Sequence, residues 1–485
     1  MLFNSYEFIL LFLPVTFSGF FLLGRLEQSR LATLWLVLAS LFFYGYWDWH
    51  YVPLLTASIL FNYFIGRNIE RRVQKKRILY LGILADVSLL GYFKYADFFL
   101  TTVNAAAGSS FELLNIVLPL GISFFTFTQI AYLVDIYRGV AKNVSLLYYF
   151  EFVTIFPHLI AGPIINYKDM LPQFMARETF RLNQKNIALG LAVFAIGLSK
   201  KVLVADNLSV WANAAFANAE HLAFLAAWIG ALSYTLQLYF DFSGYSEMAI
   251  GLGLMFNLKL PMNFNSPYQA CSIIDFWRRW HMTLGGWVRD YLYIPMGGNR
   301  CGELRKMWNL FASMLIIGLW HGAGCTFVLW GGYHGTLLVI NHVWRRCGIR
   351  LPDFINWFMT FVCVVLCWVF FRAENVAQAW NVILSMTDIY NLGLPDKGTI
   401  YNHAGFLADY GIVFSPWLFK DSLPKILITL SIVMAAVLLV PNPLKLLENK
   451  LLFRHGWLPI LLGLLAGLSL LMVNIGNSEF LYFQF

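Results

Sequence analysis

Apolar residues run along this chain in long blocks rather than in the one-sided stripe of a soluble helix. Residues 7–24, 31–46 and 51–66 each carry at most one charge, and blocks of that kind predict membrane-crossing helices. A fourth block at 78–98 leads to TTVNAAAGSSFELLN (100–115), which has no Lys or Arg and reads as a loop. Further spans are expected near 116–137 and 457–474. Residues 146–166, 187–205 and 260–300 interleave apolar runs with Pro, Gly and charge. That mixture predicts re-entrant or broken helices, whose backbone survives at membrane depth only when buried in protein or lining a cavity. The longest polar interludes, near 167–186 and 372–423, are too short for a sizeable soluble domain, and no transporter-like internal repeat is evident. Residues 1–485 are therefore expected to form one membrane-embedded domain.

Composition removes the soluble alternative. Hydrophobic residues make up 59% of the chain and charged residues only 12%, against roughly 25% charged in an ordinary soluble domain. The mean hydropathy is +0.64. So little charge does not cover the surface of a water-soluble protein of this size. The N-terminal MLFNSYEF has Glu7 where a secretory signal would be basic, so no cleavable signal is expected. The fold class that follows is an all-α polytopic membrane protein with about 10 to 12 transmembrane helices.

Charge then orients it. Arg67, Arg71, Arg72, Lys75, Lys76 and Arg77 crowd one short connection, and Lys and Arg near span ends favour the cytoplasmic side. Arg25, Arg30, Arg138, Lys142, Arg345, Arg346, Arg350, Lys445, Lys450 and Arg454 mark further inner loops. With three spans before the first basic loop and one after the last, both termini are expected outside.

Ionisable residues inside a membrane segment are functional candidates by default, and they concentrate between Tyr239 and His334. YFDFSGYSEMAIGLG (239–253) holds Asp241 and Glu247. DFWRRWHMTLGGWVRDYLYIPMGGNR (275–300) holds Arg278, Arg279, His281, Arg289, Asp290 and Arg300. GLWHGAGCTFVLWGGYHG (318–335) holds His321 and His334. His321 is the sharpest of these, because Met307 to Trp320 contains no charge and Gly322 and Gly324 let a backbone or substrate approach. A neutral imidazole is a natural general base, while the bland reading is a core histidine bonded to a carbonyl. His281 with its arginines reads equally as an interfacial anchor, and His334 as a glycine-rich helix contact.

Other chemistries lack their signatures. There is no GxxxxGK[ST], HExxH or GxSxG. The six cysteines (Cys271, Cys301, Cys325, Cys347, Cys363 and Cys367) have no CxxC spacing, so neither a disulfide framework nor a metal site is expected.

The three central segments, together with FPHLIAGPI (156–164), MLFNSYEFILLFLP and FLYFQF, resemble the membrane-bound O-acyltransferase (MBOAT) family. The similarity is to its bacterial branch that acetylates exported polysaccharides, the alginate type, and it spans essentially the whole chain. It implies a helical funnel with a tunnel, a catalytic core near 239–344 and a C-terminal helix and tail at 457–485. The WHG histidine of the family falls on His321 and the second motif histidine on His281. The resemblance also implies acetyl-CoA as the cytoplasmic donor, with no metal, in the bacterial inner membrane. Arg278, Arg279 and Arg300 are candidates for its phosphates by charge, or contact membrane lipids. Tyr482 in the Phe-rich tail is the candidate acyl acceptor, unless that segment is simply an aromatic membrane anchor. The implied partners are an exported polysaccharide or peptidoglycan and an extracytoplasmic acetyltransferase; nucleic acid is not among them. Transfer of D-alanine or acylation of a lipid is the alternative within the family, and a proton-coupled transporter using Asp241, Glu247 and the histidines is the alternative outside it.

Overall fold

A computed structural model describes residues 1–142, 145–397, 399–410, 412–448, 457–473 and 480–481. Among them, the only strands are the two-residue parallel pair Leu394–Pro395 and Phe414–Ser415. Everything else regular is helical. The long helical runs, in order, are Glu7–Arg25, Ser29–Gly45, Val52–Arg71, Lys75–Ala107, Ile122–Tyr137, Gln184–Ala217, Phe224–Met255, Glu303–His321, Cys325–Arg346, Asp353–Arg372, Leu423–Leu439 and Trp457–Met472. Glu7–Arg25, Lys75–Ala107, Gln184–Ala217 and Asp353–Arg372 are long and apolar enough to cross a bilayer by length and composition alone. Their outward sides are apolar too: Leu22, Leu84, Leu191 and Phe358 are all exposed, as lipid-facing residues are.

At the centre lies Phe224–Met255, with nearly every side chain buried. It meets Gln184–Ala217 backbone to backbone. Gly190 sits over Gly251 and Gly197 over Gly244, so that a Cβ on Gly197 would lie 2.5 Å from the Gly244 carbonyl oxygen. Small residues are what allow such an approach between membrane helices. Below the glycines, Lys200 pairs with Glu247 at 2.5 Å, and Lys201 bridges Asp241 at 2.7 Å and Asp206 at 2.8 Å.

Those pairs correct the expectation at 187–205. The segment is not broken; it belongs to one continuous run, with π-helical turns at Lys200–Ala205. Its two lysines are neutralised by Asp241 and Glu247 of the Phe224–Met255 helix and by Asp206 of their own run, so the backbone has no need to leave helix. The other two irregular segments match their pattern. Leu146–Thr154 and Phe156–Leu159 are separated at Ile155, just before Pro157, and 260–300 contains the short helices Pro267–Gln269, Ile273–Arg279, Met282–Val288 and Arg289–Tyr293 among turns.

A second correction concerns 100–115. The Lys75–Ala107 helix continues through TTVNAAA, where the Thr101 and Thr102 hydroxyls donate back to the carbonyls of Asp97 and Phe98. It ends at Gly108, whose φ of +65° is the left-handed region that favours glycine. The next helix is delayed to Ile122 by Pro119 and by Gly121 at φ +71°, and the Asp97 carboxylate accepts the amides of Leu114 and Ile116 across the loop.

Two faces are defined by contacts. Lys75, Arg77 and Tyr137 line one cleft, Arg138 donates to the Asp290 carbonyl at 3.1 Å, and Arg346 pairs with Glu303. This is the basic face. At the other end of the same helices, Met1, Trp47 and Leu118 line a common cleft, and the Tyr6 hydroxyl donates to the Leu470 carbonyl. This is the face of the N-terminus.

Candidate active site

The Glu303–His321 helix begins beside the basic residues and ends on His321 itself. At about 1.5 Å per residue, its 19 residues carry that histidine most of the way across the protein. The helix stops because Gly322 turns to extended backbone (φ −160°), and a Cβ there would overlap the Phe327 ring. The terminal carbonyls of a helix need partners from outside it. Here the Tyr95 hydroxyl donates to Leu319 O at 2.5 Å, and the Lys94 ammonium donates to Trp320 O at 2.5 Å and to His321 O at 3.0 Å. Both residues come from the Lys75–Ala107 helix.

The His321 ring is walled by Trp320, Trp330 and Phe371, with centroids at 4.8, 5.0 and 5.2 Å. It lines a cleft of about 330 Å³ with Lys94, Met1, Leu2, Trp47, Phe124 and Trp320. His281 and His334 both lie within electrostatic reach of it.

His281 is buried and held in an unusual backbone state, φ +43°. A non-glycine residue there is uncommon and strained. Asn263 holds it. Its carbonyl accepts the Met282 amide, and its Oδ1 receives Thr283 Oγ1 at 2.6 Å and lies 3.2 Å from His281 Nδ1. Thr283 in turn accepts the amide of Ile164, which ties FPHLIAGPI to the same hub. His158 in that motif serves its own loop, with Nδ1 2.9 Å from the Pro163 carbonyl.

His334 sits among Phe276, Trp277, Trp330 and Trp368, and Trp277 donates to its Nδ1 at 3.3 Å. That bond assigns the neutral ring's proton to Nε2.

A second cleft, about 510 Å³, opens on the basic side and is lined by Lys259, Thr283, Trp287, Arg289 and Asp290 among others. It shares no lining residue with the His321 cleft. Three rings stand between them: Trp287 on Phe127 at 3.8 Å and 6°, and Phe127 on Trp320 at 4.8 Å and 13°. Trp287 is pinned by donating to the Phe127 carbonyl at 3.0 Å. Where a tunnel is expected, this stack runs from Trp287, which lines one cleft, to Trp320, which lines the other.

The sequence-derived residues divide accordingly. His281 and His321 come together, with His334 nearby. Arg279 is engaged by Asp275 at 3.0 Å, while Arg278 and Arg300 are exposed; the cations lining the cleft on the basic side are Lys259 and Arg289, the latter paired with Asp290 at 2.7 Å. Tyr482 lies outside the described residues. Its neighbours do not: Phe480 stacks on Tyr245 at 4.4 Å and leans on Phe242, which packs edge-on against His281, and the Leu481 amide donates to Asp241. Asp241 and Glu247 are each paired with a lysine, Lys201 and Lys200 respectively. Among the described residues no group of metal-ligating side chains occurs. Lys94 and Asn263 are the residues that motif reading missed. Lys94 carried a usable signal, being a lone cation inside an apolar span.

The chain belongs to the membrane-bound O-acyltransferase family, whose profile matches residues 12–371, and it is accordingly an acyltransferase enzyme of the membrane. It is 48% identical over 427 residues to the peptidoglycan O-acetyltransferase of Helicobacter pylori, covering 81% of each chain. It is 44% identical to the "probable alginate O-acetylase AlgI" of Pseudomonas aeruginosa, over 80% of this chain and 75% of that one. With the teichoic acid D-alanyltransferase of Bacillus subtilis it shares 26% identity over 52% of this chain and 66% of that one.

Proposed function

We propose that residues 1–485 form the membrane component of a surface-polymer O-acetylation system, acting on an exported polysaccharide or peptidoglycan. Acetyl-CoA delivers the acetyl group from the basic face, which the distribution of Lys and Arg assigns to the cytoplasmic side of a bacterial inner membrane. Both termini are then extracytoplasmic. The observation that carries this reading is the pair of clefts on opposite faces, divided by one aromatic stack with His321 on the side of the N-terminus.

In the transfer step the acceptor hydroxyl attacks the thioester carbonyl and gives its proton to His321. The C–O bond forms, the C–S bond breaks, and the departing thiolate takes the proton from the imidazole. His281, fixed by Asn263, packs beside the reacting pair. Lys259 and Arg289, with Arg278, Arg279 and Arg300 further out, supply cations for the donor's phosphates.

Tyr482 is the acceptor in this reading. Support comes from Phe480 and Leu481, which are buried against the helix that faces His281. The sequence of esters is also favourable, since a thiol (pKa about 8.5) leaves more readily than a phenol (about 10), and a phenol more readily than a sugar hydroxyl. An extracytoplasmic acetyltransferase then passes acetyl from tyrosine to the polymer. Acetyl rather than D-alanine is favoured because the relatives that cover four fifths of the chain are named as O-acetylating proteins.

The test is peptide mapping of the protein in proteoliposomes supplied with [14C]acetyl-CoA. Label on the C-terminal peptide at Tyr482 is expected. Thiol release without label on Tyr482 overturns the relay, and absence of thiol release overturns acetyl-CoA as donor.

A further inference from the structure

Lys94 is an ammonium about twenty residues into an apolar helix, and it is half-buried there. Burying a cation is costly unless something compensates it. Among the described residues no carboxylate lies within ion-pair distance of it. What it has is the end of the His321 helix: carbonyl oxygens of Trp320 and His321 at 2.5 and 3.0 Å. The C-terminal end of a helix carries a partial negative charge and favours a cation. Those carbonyls use two of the three N–H donors of an ammonium. The third is available on a group that lines the same cleft as His321.

From this placement we infer that Lys94 is a catalytic residue of the acyl transfer: its remaining N–H donates to the carbonyl oxygen of the acyl group as that oxygen becomes an oxyanion. This rests on the reading of His321 as the base. When the acceptor oxygen bonds to the carbonyl carbon, the carbonyl electron pair moves to oxygen and the acceptor's proton moves to His321. The oxyanion forms beside a fixed cation that is already oriented by the helix end, so nothing need reorganise at that moment. As the intermediate collapses, the carbonyl reforms, the leaving group departs and takes the proton from His321, and Lys94 keeps its own. The two groups belong to one arrangement, because the lysine grips the last two carbonyls of the helix that ends in the histidine.

A capping role alone needs hydrogen-bond donors, whereas an oxyanion site needs charge. Lys94→Gln keeps amide donors and loses charge; Lys94→Arg keeps both. The probe is p-nitrophenyl acetate, an activated ester that presents an acetyl group whatever the natural donor is, and the readout is p-nitrophenolate release by full-length protein in detergent. Lys94→Gln is expected to lower kcat about 100-fold with KM within twofold, and Lys94→Arg to stay within tenfold of the native rate. A Lys94→Gln rate within threefold of native, or equal losses in both variants, overturns the proposal. Run alongside, His321→Ala separates the two ideas. If it retains the native rate, the reading of His321 as base fails. If it is inactive while Lys94→Gln is not, only the role of Lys94 fails. Should Lys94→Gln not fold, Lys94→Arg decides: a loss beyond 100-fold in folded protein overturns the proposal, and a rate within tenfold of native supports it.

Discussion

The backbone N–H of Leu481 donates to the carboxylate of Asp241 at 3.1 Å, across 240 positions of sequence and inside the helical core. Asp241 is at the same time the 2.7 Å partner of Lys201. Leu481 is thereby fastened to the central helix through a main-chain group, while the side chains of Phe480 and Leu481 are buried. The ring of Tyr245, one turn along, is sandwiched between Phe3 at 4.6 Å and Phe480 at 4.4 Å. Both ends of the protein thus meet on one helix, close to His281.

Leu481→Pro removes that donor without altering the ion pair, and Leu481→Ala keeps it. The proline variant is expected to lose its C-terminal residues to carboxypeptidase much faster than native protein, with the alanine variant close to native. Equal trimming of all three would show that the bond does not hold the tail.

Glu247→Leu takes the carboxylate from the buried Lys200. Breaking a buried pair by removing one partner costs about 3–5 kcal/mol, so a Tm fall of several degrees is expected in detergent. Asp241→Leu is expected to cost less, because Asp206 still pairs with Lys201. An unchanged Tm in both would mean these pairs are not structural.

Gly197→Val places a side chain where 2.5 Å separates a Cβ from the Gly244 carbonyl. Overpacking of a core typically costs about 1–3 kcal/mol, and here the obstacle is backbone that has no rotamer to yield. Fluorescence-detected size exclusion should show little monodisperse protein, whereas Gly463→Val, at a position open on all sides, should elute as native.

Phe127→Ala removes the middle ring of the stack between the clefts. Water then has a route to the acyl group, and exclusion of water is what suppresses such side reactions. Acetyl-CoA hydrolysis without acceptor is expected to rise severalfold while acetylation of polymer falls. Hydrolysis at the native rate would mean that the stack does not separate the two compartments.

Much of this was legible in the sequence because membrane helices are written in long apolar blocks. The blocks at 7–24, 31–46 and 51–66 became helices within a few residues of their expected ends. Where reading failed, polar groups were being satisfied by distant partners. Lys200 and Lys201 looked like interruptions, yet they pair with Glu247 and Asp241 on a different helix, and Lys201 also with Asp206. TTVNAAA looked like a loop, although its threonines bond back along the helix they extend. At the site, His281 and His321 carried family patterns and were found together. Asp241 and Glu247 drew attention as intramembrane acids and turned out to be partners of lysines. Asn263 gave no advance signal, since a single asparagine in PMNF has no spacing to betray a hub that binds His281, Thr283 and, through them, a third segment. The arginines of DFWRRW are likewise a matter of tertiary placement: charge alone could not distinguish Arg278 from Arg289, which lines the cleft.

The account turns on His321 as the group that takes the acceptor's proton. The most direct measurement is polymer-bound acetate in cells whose only copy carries His321→Ala, with the variant's membrane level matched to native by immunoblot. The arrangement of that imidazole at the helix end, inside the cleft beside Lys94, predicts polymer acetate at the level of a deletion strain. Acetate at the native level would contradict it.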